Sequence, residues 1–394
     1  MYPLPMNQQP FREYHLFQIL SFYDENPFPL DFLLRNYFKN NHAAGAKDRK
    51  FICEAIYSMI RWKSLLDYLN KDVPAQNRWK SRFESHLNFS PTTHLENMSI
   101  PAHIRVSFPQ TFFDFLEMSL GKEKAWEFCK VSNETAPTTV RANLLKTTRE
   151  ALLAKWKGAY QVSPCQHSPS GIVFHKKENF FAMPEFKEGL FEVQDEASQL
   201  IADLVSPKGR DQVLDFCAGS GGKTLAFAPK ARGKGQIFVH DIRPSILAEA
   251  KKRLKRAGIQ NAQVLMPDSP TKPLLKNKMN WILVDAPCTG TGTLRRNPDM
   301  KWKFEPEMVF RLVEEQRKIF EEALSYLDPK GHIVYSTCSV LPQENEEQLE
   351  YFQKTFNLEL VQPILKTFPQ SGCMDGFFGA VLRFAKPPEV SSRL

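Results

Sequence analysis

The chain has 394 residues, 42% of them hydrophobic and 24% charged, and 52 basic against 44 acidic side chains leave a formal net charge of +8. That is more chain than one hydrophobic core usually organises, so two or three domains are expected, and no apolar run nears the roughly 18–20 residues that cross a bilayer. Seven cysteines without a Cys-x-x-Cys pair argue against a disulfide framework and a structural zinc site, while the basic excess favours a polyanionic partner.

Met1 to Asn7 lack the basic-then-apolar pattern of a secretory leader, so a cytoplasmic protein is expected, and the cysteine spacing leaves no metal expected. Helical periodicity follows over Phe11–Tyr23 and Leu30–Phe38, with prolines between them, and again at Phe51, Ile52, Ala55, Ile56, Met59 and Ile60. Residues 1–130 therefore read as a helical accessory domain. Thr138–Asn143 is strand-like, Thr147–Lys157 helical with Thr147 or Thr148 as cap, and Gly171–Phe174 a second strand. Residues 131–194 thus form a small α/β module, suited to be a binding platform.

From 195 to 388 strands and helices alternate. Strands are expected at 213–216, 236–240, 262–266, 281–285 and 331–337, with helices from 221, over 244–257 and over 306–327. Val309, Leu312, Val313, Ile319, Phe320, Ala323, Leu324 and Leu327 make one stripe of the last helix, and Ala380–Phe384 reads as an edge strand. This rhythm implies an α/β fold with a mostly parallel, doubly wound sheet.

The turn Cys217-Ala-Gly-Ser-Gly-Gly-Lys223 joins the first of these strands to a helix. Gly219, Gly221 and Gly222 let a ligand approach the backbone closely, at a helix end with unpaired N–H groups. Asp241 ends the second strand, where a carboxylate can accept both hydrogen bonds of a ribose diol, and Asp268 after the third strand is placed for an adenine edge. A dinucleotide is disfavoured because no third glycine is in register. A P-loop is disfavoured because Cys217 stands where it needs glycine. S-adenosylmethionine, bound at the first strand ends by the glycine turn with Asp241, Asp268 and Asp285, is the preferred cofactor.

Cys53, Cys129, Cys165 and Cys373 read as inert small hydrophobes, and Cys217 as a backbone contributor. Cys288 and Cys338 differ, since each follows a strand on the ligand side of the sheet and both can reach one reacting atom. Thiolate addition to carbon 6 of cytosine turns carbon 5, otherwise too poor a nucleophile, into an enamine carbon able to take a methyl group. Asp285 is placed to bind the base near N3 and N4.

Asp215–Thr224, Asp285–Trp302 and Tyr335–Glu346 resemble motifs of the Nop/Sun family of RNA cytosine-5 methyltransferases, as do Arg141-Ala-Asn143, Gln194–Ser198 and Asp375–Phe378. The resemblance covers about residues 131–386. It implies a Rossmann-like methyltransferase sheet behind the small α/β RNA-binding module, with Cys338 as nucleophile and Cys288 assisting product release. Asp285 and Lys223 complete the implied catalytic set. The family usually has Ala-Pro where this chain has Gly219-Ser220. The N-terminal part, with Asp48-Arg-Lys50, faintly resembles the NusB-like domain of the bacterial ribosomal-RNA member.

The implied substrate is a cytosine in RNA, with 16S ribosomal RNA favoured. A transfer-RNA methyltransferase and a non-catalytic ribosome-assembly factor are the alternatives, and a monomer is expected. Arg141, Arg295, Arg296, Lys301 and Lys303 are the candidates to neutralise phosphates, and Trp302 to stack on a base.

Overall fold

The computed structural model describes residues 10–26, 28–74 and 77–386. The leader reading of Met1–Asn7 and the end of the 195–388 segment at 387–388 lie outside the described residues. The chain divides into two compact units, one of residues 1–135 with 294–306, the other of residues 136–293 with 307–394.

The first unit is helical. Its longer helices span Phe11–Glu25, Leu30–Asn40, Ala46–Arg61, Arg78–Leu87, Gln110–Leu120 and Lys122–Ser132. In Ala46–Arg61 the apolar residues recur at three- and four-residue spacing, so Ile52, Ile56, Met59 and Ile60 share one fully buried face with Leu16, Ile19 and Leu20. Each such side chain contributes roughly 1.5–3 kcal/mol on burial. The segment 294–306 completes this unit. Phe304 stacks on Phe112 with ring centroids 3.8 Å apart, and the Leu30 amide donates to Asp299 Oδ2 at 3.2 Å.

The second unit holds two sheets. Strands β1 (Thr138–Ala142), β2 (Val162–Pro164), β3 (Gly171–Phe174) and β4 (Phe191–Val193) form an antiparallel sheet in the order β2-β3-β1-β4. Helix Arg149–Trp156 buries Trp156 against Phe174 and Phe191. Thr148 caps it, its Oγ1 accepting from the Ala151 amide at 3.1 Å.

The larger sheet contains β5 (Gln212–Asp215), β6 (Gln236–His240), β7 (Ala262–Leu265), β8 (Met279–Asp285), β9 (Leu327–Thr337), β10 (Leu358–Leu360), β11 (Leu365–Lys366) and β12 (Phe378–Phe384). Its order is β7-β6-β5-β8-β9-β12-β10, with β11 paired to β12. Strands β5 to β9 are parallel, and β12 runs antiparallel to β9. The chain winds outward from β5 to β7, then returns to add β8 on the other side of β5. That reversal makes a Rossmann-like doubly wound sheet, with its ligand crevice beyond the carboxyl ends of β5 and β8.

Three expectations need correction. The helix expected from 221 is a single turn, Thr224–Phe227, because residues 221–223 are still part of the glycine turn. Helix Pro306–Leu324 is shorter than the predicted 306–327, because Leu327 pairs with Met279 as the first residue of β9. Leu327 continues the apolar stripe yet spends its backbone on the sheet. The predicted edge strand 380–384 is internal, lying between β9 and β10. Gly379 admits that packing: a Cβ there would meet Ile201 Cδ1 at 2.6 Å and Leu204 Cδ1 at 2.7 Å. Among the described residues no helix is long and apolar enough to cross a membrane.

Candidate active site

The turn after β5 carries two glycines in the left-handed region, Gly219 at φ +52° and Gly221 at φ +79°. A side chain at either would strain the backbone there. Turn and second strand are tied together, for the Gly219 amide donates to Asp241 Oδ2 at 2.9 Å and the Ala218 amide to the His240 carbonyl at 2.8 Å. Arg243 holds both oxygens of Asp241 with its guanidinium, at 2.9 and 3.0 Å. Burial opposes the charge on Asp241, but the Arg243 and Gly219 hydrogen bonds win and hold its pKa below the usual carboxylate range. Arg243 is largely exposed. Arg253 braces Ser220, its Nη1 lying 3.0 Å from the Ser220 carbonyl and 2.5 Å from Oγ. Cys217 is half-buried against the sheet core, where burial pushes its thiol well up. Asp268 is exposed, three residues beyond β7.

Under the turn, Asp215 at the end of β5 accepts from Thr224 Oγ1 at 2.5 Å, while its second oxygen is buried with no partner. Burial raises its pKa to about 7. The Lys223 ammonium reaches Asp285 Oδ2 at 2.5 Å, and Ser336 Oγ donates to Asp285 Oδ1 at 3.0 Å. Burial acts against the Lys223 charge, yet the adjoining Asp285 carboxylate and the more distant Cys338 and Asp215 hold its ammonium above the usual lysine range. The Phe377 ring covers the same ammonium at 5.3 Å.

Strands β8 and β9 are in parallel register, Asp285 beside Ser336. The two cysteines that follow them meet, with Cys288 Sγ and Cys338 Sγ 3.4 Å apart. The hydrogen bond with Cys338, with burial, pushes the Cys288 thiol well above its ordinary value. The loop after Cys288 is packed backbone to backbone. The Gly292 amide donates to the Cys338 carbonyl and its own carbonyl accepts from the Gly376 amide, both at 2.9 Å. A Cβ on Gly292 would fall 2.0 Å from the Gly376 carbonyl oxygen. This arrangement offers a nucleophile, a second thiol and a carboxylate fixed by a cation.

Sequence reasoning gave several residues of this site no role, although Ser336, Glu344 and Phe377 lie inside the motifs Tyr335–Glu346 and Asp375–Phe378. Ser336 and Phe377 touch Asp285 and Lys223, while Gln316 and Glu344 are fully buried polar groups beside the Cys288 loop. Gln316 interrupts the apolar stripe of its helix, and that interruption was the available signal.

Most of the expected phosphate contacts are corrected by burial. Arg141 is 5% exposed, its guanidinium spent on the Gln194 side chain and, at 3.1 Å, on the Gly222 carbonyl. Burial lowers its basicity to about 10. Lys301 is 1% exposed, donating to the Arg61 carbonyl and Asn133 Oδ1, each at 2.7 Å, over the Phe108 ring. Burial drops its basicity well below the lysine norm. Trp302 Nε1 donates to the Ile60 carbonyl at 2.8 Å, so the ring belongs to the helical core and is no free stacking surface. Lys303 donates to the Phe28 carbonyl at 3.0 Å and to Asp299 at 3.2 Å. Arg295 is buried and Arg296 half-buried. The catalytic candidates thus gather in the second unit, and residues 295–303 in the first.

A family model described as 16S rRNA methyltransferase RsmB/F matches residues 202–383, and one for the ferredoxin-like domain of RsmF/B-like methyltransferases matches 108–180. Ribosomal RNA small subunit methyltransferase B of Proteus mirabilis (strain HI4320) is 34% identical over 264 residues, spanning 65% of this chain and 61% of that protein. The chain therefore spans less than two thirds of that relative's length. The protein of the same name from Escherichia coli O6:K15:H31 (strain 536 / UPEC) is 34% identical over 336 residues, 82% of this chain and 74% of the relative. A solved methyltransferase homolog protein from Pyrococcus horikoshii superposes with a TM-score of 0.63 at 25% identity, covering 75% of this chain and all of that one.

Proposed function

The chain belongs to the RsmB/F family of 16S rRNA methyltransferases, and from that premise we propose that it methylates carbon 5 of a cytosine in RNA, 16S ribosomal RNA above all, through a covalent adduct on Cys338. The observation that carries this reading is the pair of thiols 3.4 Å apart at the ends of adjacent strands, beside a carboxylate held by lysine. One thiol is needed to activate the ring and a second group to help it leave.

The residues fit S-adenosylmethionine as the methyl donor: the left-handed glycines open the turn, and Asp241 stands ready for the ribose. Bound there, it supplies an electrophilic methyl group on a sulfonium. Cys338, as thiolate, adds to carbon 6, and the electron pair of the 5,6 double bond moves toward carbon 5 and N3. The Lys223 ammonium pairs with Asp285 beside the thiols, where negative charge develops, and the Asp285 carboxylate accepts from the exocyclic amine. Once carbon 5 carries the methyl group, its hydrogen leaves to a base as a proton. The freed electron pair restores the double bond and expels the Cys338 thiolate. Cys288 assists that second half.

Such chemistry needs an unstacked base, so a loop or single-stranded cytosine is the substrate. Lys251, Lys252 and Lys255 are exposed cations of the basic run on helix Pro244–Ala257 and replace the buried candidates as phosphate contacts. The test is incubation of the protein with methyl-labelled S-adenosylmethionine and 16S or transfer RNA, read as 5-methylcytosine in digested RNA. Label in 16S RNA supports the reading. Label in transfer RNA alone moves the substrate, and none in either overturns it.

A further inference from the structure

Two consecutive residues, Glu344 and Asn345, are both fully buried; Asn345 grips the loop of Cys338, and Glu344 grips chiefly that of Cys288, with one further hydrogen bond to the Ser339 side chain. Glu344 Oε1 accepts from the Thr289 amide at 2.9 Å, and Oε2 from Thr289 Oγ1 at 2.6 Å. Thr289 follows Cys288. The residue before it, Pro287, is held through Gln316, whose Nε2 donates to the Pro287 carbonyl and to Glu344 Oε1, both at 3.0 Å. Gln316 has no freedom to turn. Its Oε1 accepts from Gln348 Nε2 at 3.0 Å and faces the Tyr335 hydroxyl at the same distance, so a flipped amide would oppose donors to donors.

Asn345 treats Cys338 in the same way. Its Oδ1 accepts from Thr337 Oγ1 at 2.5 Å, and its Nδ2 donates to the Ser339 carbonyl at 2.9 Å. Residues before and after Cys338 are thus tied to one amide, as those flanking Cys288 are tied to one carboxylate and its glutamine. Burying a carboxylate and two amides is costly unless their hydrogen bonds are made. These bonds are made to the two cysteine loops.

We propose that Glu344 and Asn345 are paired positioning residues that fix the two thiols against each other, Asn345 serving adduct formation by Cys338 and Glu344 serving its breakdown with Cys288. This rests on the covalent reading above. Neither residue touches the base; each acts through the loop it holds. Displacing a reacting group by about 1 Å costs about 100-fold in rate, so each grip should be visible in one half-reaction.

The experiment uses the full-length protein with RNA and S-adenosylmethionine, and follows the denaturation-resistant protein–RNA adduct in a single turnover. Glu344→Gln should form adduct within about threefold of the unaltered rate and then accumulate it, whereas Asn345→Ala should slow its formation about 100-fold. Thr289→Val and Thr337→Val remove the partner hydroxyls at nearly constant volume. They should reproduce the two patterns respectively, and they decide the matter if the buried polar variants fail to fold. Equal slowing of both half-reactions by either member of a pair, or unaltered kinetics in all four, overturns the proposal. Cys288→Ala run alongside separates the two readings. No adduct from it overturns the release reading itself, while adduct from Cys288→Ala but not from Glu344→Gln or Thr289→Val overturns the positioning role alone.

Discussion

The sulfur atoms of Cys288 and Cys338 lie 3.4 Å apart although 50 residues separate them in the chain. Parallel pairing of β8 with β9 brings the two thiols together. Replacing the proposed nucleophile should remove the reaction without emptying the cofactor crevice. We expect Cys338→Ala to lower methyl incorporation at least about 10³-fold, with S-adenosylmethionine affinity unchanged by calorimetry. Turnover near the unaltered rate would show that another group attacks the base.

Replacing the second thiol should give the opposite picture. Cys288→Ala is expected to form the Cys338 adduct and fail to resolve it, leaving a slow-migrating protein–RNA band on a denaturing gel. The band should vanish in the double variant with Cys338→Ala.

Asp241 is anchored by the Gly219 amide and Arg243 at the mouth of the turn. A charged acceptor of two ribose hydrogen bonds contributes enough that Asp241→Ala should weaken S-adenosylmethionine binding about 10- to 100-fold. RNA affinity, measured in the absence of cofactor, should not change.

Asp215 has a native pKa of about 7 against 3.8 when unperturbed, because it is buried. The native state therefore holds a proton that the unfolded chain releases, so stability falls as pH rises from about 4 through 7 and levels off above. Between pH 5 and pH 8 the loss should be about 2–3 kcal/mol. Asp215→Asn should abolish it, as read from urea unfolding midpoints at the two pH values.

Lys301 tests what the basic 295–303 segment does. Its ammonium satisfies the Arg61 carbonyl and Asn133 inside the helical unit, and Lys301→Ala strands both acceptors. We expect about 2–3 kcal/mol of destabilisation and a lower Tm, with the salt dependence of RNA binding unchanged. A shallower salt slope would return Lys301 to the phosphate contacts.

The elements that sequence marks most clearly are those with local signals. Helix Pro244–Ala257 stands where expected, with proline in its first turn and Gly258 at φ +82° closing it. The cysteine loops were visible as motifs, and β6 and β3 as short apolar runs. The buried cations were not visible. Nothing near Lys301 in the chain announces that its partners lie 240 and 168 residues away, and a lysine among basic neighbours reads as surface. Gln316 was hidden for the same reason, and Glu344, although inside the Tyr335–Glu346 motif, showed no role there, since each joins the site through residues some 30 to 55 positions distant.

Residues 294–306 count among the helices of the first 135 residues, and this orders events during synthesis. As the chain emerges from its amino end, Phe112 lacks its stacking partner Phe304, and the Arg61 carbonyl lacks its amine, until 171 further residues have been made (306 − 135). At ordinary translation speeds that interval is about 10–30 s. The amino-terminal helices thus wait, incompletely packed, for a strip of polypeptide encoded far downstream. A protease acting on nascent chains should find them vulnerable until that strip arrives.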